Sequence, residues 1–511
     1  FGSSTVVQGA PRAFGAPSVP PPARGAPCCA LCGAHCHIFC EVGENRRLEW
    51  SMTTAPQSAG PRVGAADVAA AASSSAEERR PELPEHYVVE RVLGKGAYGK
   101  VFLCQDRRRP DKQVPVAIKW ISKFAAVDGD PVLGKRIYRE IRVLAALRHE
   151  NLLQLIDLVP VPSPDFDDVY IVMQYMHLDL HKLIYSPKMK VSVNQVQAFV
   201  CQMLRGLKYL HSAGVVHRDL KPPNVLVNKD CSLRIADFGL AGRRVAKCLP
   251  DTKEDVLSQE ESDELTEYVV TRWYRAPELL LTPCVYCEAV DIWSVGCIFY
   301  ELLQRQPLFD GQNPVRMLQL MYSALGFSED KDMTWVNNMR EGGEASRRAA
   351  AFALQTIRSL ENGKPKLSEI PVQPLEARLP SHPKDLLELM RSMLEFDPTK
   401  RISAAEAIQH EYLAKLRDPL GEMDAPRRFD WDFDKFDAKP RALKDRVYAE
   451  CARLHPEIIE RDAEWLQGRG FMPQGSKLPS RGGDSPSTPS SREAEQRSSD
   501  TGQHVAAGAG G

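Results

Sequence analysis

The chain has 511 residues and a formal net charge of −1, with 66 Lys plus Arg set against 67 Asp plus Glu. That balance disfavours nucleic acid or an anionic membrane as a bulk partner, and no apolar run approaches the length needed to cross a bilayer. Hydrophobic content of 43% and charged content of 26% belong to an ordinary globular protein, with room for a two-part core and tails. Residues 1–83 are rich in Pro, Ala, Gly and Ser and read as disordered or leader sequence, because they bury too little apolar surface to offset their ordering entropy. The chain begins at Phe1 and its first methionine is Met52, so the residues before Met52 read as translated leader or vector sequence. Cys28, Cys29, Cys32, Cys36 and Cys40 cluster there with His35 and His37. Cys29 and Cys32 have the spacing of half a zinc knuckle, but Cys36 and Cys40 make a poor second pair, so no metal is expected. The other eight cysteines are scattered and read as reduced thiols.

Residues 84–175 carry strand-like runs at Tyr87 to Val89, Lys100 to Leu103, Val114 to Lys119 and Val169 to Val172. One helix interrupts them, with Ile137, Ile141, Leu144 and Leu147 at helical spacing. Helices dominate over 176–415, as in Val193 to His211. Residues 416–467 follow as an extension, and 468–511 form a Gly/Ser-rich tail read as disordered, with Ser485-Pro486 and Thr488-Pro489 in it. A small strand-rich part before a larger helical part predicts an α+β, two-lobe fold.

Three motifs carry chemistry. In Leu93-Gly94-Lys95-Gly96-Ala97-Tyr98-Gly99, glycines let a backbone approach phosphate oxygens. A dinucleotide-binding turn of similar spacing would open a helix, whereas a strand-like run with Val101 follows here. Next comes Val116-Ala117-Ile118-Lys119, where an inward lysine needs phosphates and a carboxylate, for which Glu140 is the candidate. His217-Arg218-Asp219-Leu220-Lys221-Pro222-Pro223-Asn224 then precedes Asp237-Phe238-Gly239. Phosphoryl transfer needs positioning and charge neutralisation above all. Asp219 can align a substrate hydroxyl, Lys221 can neutralise a γ-phosphate, and Asn224 with Asp237 offers hard oxygen ligands for Mg²⁺.

On these motifs, roughly residues 87–415 resemble the eukaryotic protein kinases, whose bilobal fold has a β-rich N-lobe and a larger, mainly helical C-lobe. Thr266-Glu267-Tyr268 ahead of Thr271-Arg272-Trp273-Tyr274-Arg275-Ala276-Pro277-Glu278 resembles the activation segment of mitogen-activated protein kinases of the extracellular-signal-regulated type, in the CMGC group. Cyclin-dependent kinases share the second half without the Thr-x-Tyr. The resemblance implies ATP and Mg²⁺ as cofactors, with the nucleotide between the glycine turn and hinge residues Gln174 to Met176, Asp179 near the ribose and Met173 behind the adenine. It implies activation by phosphorylation of Thr266 and Tyr268 by an upstream dual-specificity kinase. The phosphothreonine would be received by Arg139, Arg218 and Arg243, and the phosphotyrosine by Arg272 and Arg275. Charge-assisted hydrogen bonds of about 1.5–3 kcal/mol each, three together, could supply the roughly 5.5 kcal/mol that inverts a 1:99 equilibrium.

The resemblance further implies proline-directed substrates, a buried Glu278–Arg401 ion pair, an insert between about 311 and 380, and a docking stretch at Asp418, Glu422 and Asp424 for substrates, activators and phosphatases. It implies a monomer in cytoplasm and nucleus. Three departures stand out. Gly242 occupies the slot of the third arginine, with Arg243 and Arg244 after it; the loop carries a polar, acidic insert over Asp251 to Glu264, expected to be mobile; and Gly421 stands where a docking acid is expected. Two rival readings are a pseudokinase scaffold, disfavoured because every catalytic residue type is present, and a cyclin-dependent-kinase-like enzyme.

Overall fold

The computed structural model describes residues 81–469 except 97–98, 109–114, 126–130, 244–270, 283–286, 327, 342, 364–365 and 367–368. The cysteine cluster, Ala97, Tyr98, Arg244, the loop insert, Thr266, Tyr268 and the tail Ser-Pro and Thr-Pro pairs therefore lie outside the described residues.

Five strands build the small lobe: β1 (Tyr87–Gly96), β2 (Gly99–Asp106), β3 (Pro115–Ile121), β4 (Leu155–Leu158) and β5 (Val169–Gln174). They form one antiparallel sheet in the order β1-β2-β3-β5-β4. The glycines are followed by a strand, as their context predicted. Residues directly opposite in antiparallel strands share a face. Val101 opposes Lys119, and Leu103 opposes Ala117, which in turn opposes Met173. That face turns toward the cleft. The alternate residues Phe102, Val116, Ile118, Trp120 and Val172 join a separate small core on the other face.

Helix α1 (Pro131–Ala146) packs on the sheet. It starts ahead of the periodic stretch, because Pro131 suits a first turn that has no use for its amide donor. The large lobe is organised around α2 (Leu180–Tyr185), α3 (Val193–Ser212) and the helix Ala289–Gln304. Every residue of that last helix from Ala289 to Leu302 is buried, so Asp291 and Glu301, the two charged residues in it, must find partners inside. Both hold parts of the site.

The C-terminal extension returns to the small lobe, where its helix Pro440–Leu454 lies against α1, and two short helices, Glu457–Arg461 and Ala463–Arg469, follow. Gly134 makes the approach possible: a Cβ there would sit 2.5 Å from Leu443 Cδ1. Arg142 pairs with Glu450 across this contact, and Tyr138 meets Phe433 and Phe436 edge-on. Cys104, Cys201, Cys231, Cys297 and Cys451 are free thiols, whereas Cys287 is disulfide-bonded, which corrects the reading of the scattered cysteines as uniformly reduced. Among the described residues, no helix is long and apolar enough to cross a membrane.

Candidate active site

The glycine turn is a hairpin between β1 and β2 in which Gly96 opposes Gly99. Gly99 is required by close approach: with φ +155°, a Cβ there would lie 1.9 Å from the Trp120 carbonyl oxygen. Leu93, Gly94, Lys95 and Gly96 form the end of β1, and Gly94 opposes Val101. Gln174 ends β5, Met176 is buried just beyond it, and Asp179 caps α2, its Oδ1 accepting the Lys182 amide at 2.8 Å.

Lys119 projects from β3 toward α1, where its Nζ lies 2.7 Å from Glu140 Oε2. Burial works against the ammonium, but the Glu140 and Asp237 carboxylates outweigh it and hold the pKa of Lys119 above the usual lysine value. The cation is therefore fixed and charged in the interior of the small lobe, against Glu140.

Beneath it, Asp219 Oδ2 accepts Lys221 Nζ at 2.7 Å and Asn224 Nδ2 at 3.1 Å, which leaves Oδ1 to face a hydroxyl. Asn224 Nδ2 also donates to the Asp219 carbonyl at 2.9 Å, so its amide oxygen is the end turned away. Burial raises the pKa of Asp219; Lys221 lowers it, and the charge of Asp237 raises it further. Arg218 and Asp237 adopt left-handed backbone at φ +69° and +65°, the kind of local strain that persists where surrounding structure enforces it.

At Arg218 that enforcement comes from Asp291, whose role the sequence did not disclose. Its Oδ2 accepts the His217 amide and its Oδ1 the Arg218 amide, each at 2.9 Å, while His211 Nε2 lies 2.9 Å from Oδ2. Burial alone would raise the pKa of Asp291; the hydrogen bonds and charges of His211 and His217 bring it below the ordinary value. The His217 ring binds the Ala236 carbonyl at 2.9 Å and meets Phe238 edge-on, coupling the catalytic loop to Asp237-Phe238-Gly239.

The donor set suits Mg²⁺. Asn224 and Asp237 provide hard oxygens, and Asp237 lies close enough to Asp219 for their charges to oppose each other, which a divalent cation relieves. When bound, the ion neutralises phosphate charge.

Glu278 and Arg401 form the ion pair the resemblance implied, bidentate at 2.6 and 2.9 Å and wholly buried. The arginines singled out for phosphates have other contacts. Arg139 Nη2 is 2.8 Å from Asp434 Oδ2 of the C-terminal extension. The Arg218 guanidinium lies over Gly242, where a Cβ would fall 1.9 Å from Cζ, and Nη2 donates to the Arg243 carbonyl at 3.1 Å. The Arg243 side chain is exposed, and its charge acts on Asp432. Arg275 lines the cleft beside Asp219, and Arg272 is half-buried in the turn before it. In the docking stretch, Glu422 is turned inward: its carboxylate is taken by Arg417 at 2.9 Å and by the Asp418 amide at 2.8 Å. Asp418 is half-buried, and Asp424 is exposed beside Lys208. Gly421 leaves space that Glu150 approaches: a Cβ there would lie 2.6 Å from Glu150 Oε1.

Residues 87–413 match the model of the protein kinase domain. The chain is 40% identical over 366 residues to Mitogen-activated protein kinase 3 of Arabidopsis thaliana, covering 71% of this chain and 88% of that one. The chain belongs to the mitogen-activated protein kinase family. Mitogen-activated protein kinase hog1 of Aspergillus terreus is 38% identical over 395 residues, covering 77% of this chain and 96% of its own length. Extracellular signal-regulated kinase 1 of Dictyostelium discoideum is 40% identical over 376 residues, 73% of this chain, which spans 64% of that protein. As a family member the chain is a serine/threonine protein kinase that uses ATP and Mg²⁺.

Proposed function

We propose that this kinase is proline-directed and acts in a mitogen-activated cascade, switched on by phosphorylation of both Thr266 and Tyr268 by an upstream dual-specificity kinase. The observation that carries the catalytic part is the convergence of Lys119, Asp219, Asn224 and Asp237, with Lys119 locked to Glu140 at 2.7 Å. Lys119 orients the nucleotide phosphates under Gly94 to Gly99. Asp219 Oδ1 accepts the hydrogen bond of the incoming Ser or Thr hydroxyl and aligns it. Lys221, on the other oxygen of Asp219, meets the charge that develops on the γ-phosphoryl group. Asp291 keeps this loop in its strained conformation. Removing Asp219 therefore removes alignment without disturbing the fold.

A phosphate brings about −1.5 to −2 charges and three acceptor oxygens. Arg139, Arg218 and Arg243 lie around the start of the activation segment, and Arg272 and Arg275 follow Tyr268 four and seven positions later in sequence, which supports the dual switch. Activators, substrates and phosphatases dock through Asp418 and Asp424 beside Glu150, and the kinase works as a monomer in cytoplasm and nucleus. The test is mass spectrometry of the active form, with Thr266→Ala and Tyr268→Phe in parallel. Phosphate on both residues, and inactive single variants, are expected. Full activity without phosphate at either residue refutes the switch. Equal rates on Ser-Pro and Ser-Ala peptides refute proline direction.

A further inference from the structure

We infer that Tyr185, outside the catalytic loop and the activation segment, is a positioning residue for the protein-substrate pocket, acting on Tyr274 through the buried carboxylate of Glu301. This rests on reading the cleft before Asp219 as the place where the substrate chain lies. That cleft is lined by Asp219, Tyr274, Arg275, Leu279, Val290 and Ser294, among others.

Glu301 is 1% exposed and sits near the end of the central helix Ala289–Gln304. A carboxylate so placed, with no lysine or arginine among the described residues bonded to it, is costly unless its oxygens are hydrogen-bonded. Two phenols meet that need. The Tyr185 hydroxyl donates to Oε1 at 2.8 Å, and the Tyr274 hydroxyl donates to Oε2 at 2.7 Å. Burial raises the pKa of Glu301, while the bonds from Tyr274 and Tyr185 pull it down. Burial together with this carboxylate raises both phenols well above their usual range, so each remains a donor.

Tyr274 is held at its other end as well. Its carbonyl accepts Ser294 Oγ at 2.9 Å, and Ser294 lies two turns before Glu301 on the same helix. One helix thus grips the backbone and the ring tip of the same pocket residue. The second phenol comes from elsewhere: Tyr185 ends α2, the short helix capped at its start by Asp179. The segment from the nucleotide edge therefore reaches the anchor of the substrate pocket. Without the Tyr185 hydroxyl, Glu301 keeps one buried oxygen unsatisfied and recovers hydrogen bonding by shifting, which unseats Tyr274.

The experiment compares Tyr185→Phe, Tyr274→Phe and the double variant in the full-length, activated enzyme, using a Ser-Pro peptide and ATP as varied substrates. Tyr185 is 39% exposed and the replacement keeps its ring, so the fold persists. Tyr185→Phe is expected to raise the peptide KM about tenfold, with kcat and the KM for ATP unchanged within about twofold, because only binding of the peptide is loosened. The double variant should raise the peptide KM no further than the larger single change, since both act through Glu301. An unchanged peptide KM, an equal rise in both KM values, or a lower kcat at unchanged KM overturns the proposal, as does additivity of the two substitutions. Absence of peptide phosphorylation by the parent enzyme would instead refute the reading of the cleft itself.

Discussion

Arg139 and Asp434 face each other at 2.8 Å across 295 positions of sequence, joining the small-lobe helix to the C-terminal extension. Both side chains are largely buried, and Arg139 is one of the arginines assigned to the phosphothreonine. The carboxylate thus satisfies, in this state, a cation that a phosphate would otherwise serve. Removing one partner of a buried ion pair leaves an uncompensated charge and costs about 3–5 kcal/mol. Asp434→Ala is expected to lower the stability of the unphosphorylated protein by about 3 kcal/mol in urea denaturation, and by less in the doubly phosphorylated form. Equal losses in the two forms would separate Arg139 from the phosphate.

The Glu278–Arg401 pair gives a second stability prediction that is independent of phosphorylation. Arg401 also donates to the carbonyls of Ala289 and Glu395, at 2.8 and 2.9 Å, so its fork is fully used. Lysine cannot reproduce two parallel bonds. Arg401→Lys should cost about 3 kcal/mol or more, measured by denaturant midpoint at constant slope. A loss below about 1 kcal/mol, the scale of an exposed pair, contradicts the role given to this pair.

Two glycines meet obstacles at the same distance with different consequences. At Gly99 a Cβ would strike the backbone oxygen of Trp120 at 1.9 Å, whereas at Gly242 it would strike the end of the Arg218 side chain, also at 1.9 Å. A backbone cannot yield as a guanidinium can. Gly99→Ala should destabilise by about 1–3 kcal/mol and raise the KM for ATP. Gly242→Ala should leave stability within about 0.5 kcal/mol, the Arg218 side chain shifting to make room. Reversal of the two stability effects would contradict the geometry.

Local spacing made much of this site legible in sequence. Asp219, Lys221 and Asn224 lie within a few residues, and the strands carrying Gly99 and Lys119 announce themselves by apolar runs. Asp291 gave no such signal. Its work on the His217 and Arg218 amides spans 74 and 73 positions, and nothing local to it reports a buried carboxylate holding another loop. Glu301 was missed for the same reason, although a lone acid in an apolar helix is a signal that could have been used. Glu422 turns inward for a local reason: Arg417, five positions before it, takes its carboxylate.

The pH dependence follows from Asp219. Its folded pKa is raised above the unfolded value, first by burial and then by Asp237, so the native state binds its proton more readily than the unfolded chain. The charged form therefore costs stability at neutral pH, and that cost fades as pH falls through the folded pKa toward the unfolded one. Asp219→Asn is expected to melt at or above the parent temperature at pH 7, with the difference shrinking in acid. A variant that melts well below the parent at pH 7 would contradict this sign.

The central claim is that Lys119, Asp219, Asn224 and Asp237 form one phosphoryl-transfer site, and the most direct measurement is Mg²⁺- and ATP-dependent phosphorylation of a Ser-Pro peptide by the activated parent and by folded Asp219→Asn. The expected loss in kcat is about 10²–10⁴-fold, with little change in the KM for ATP. Equal rates from the two proteins would contradict it.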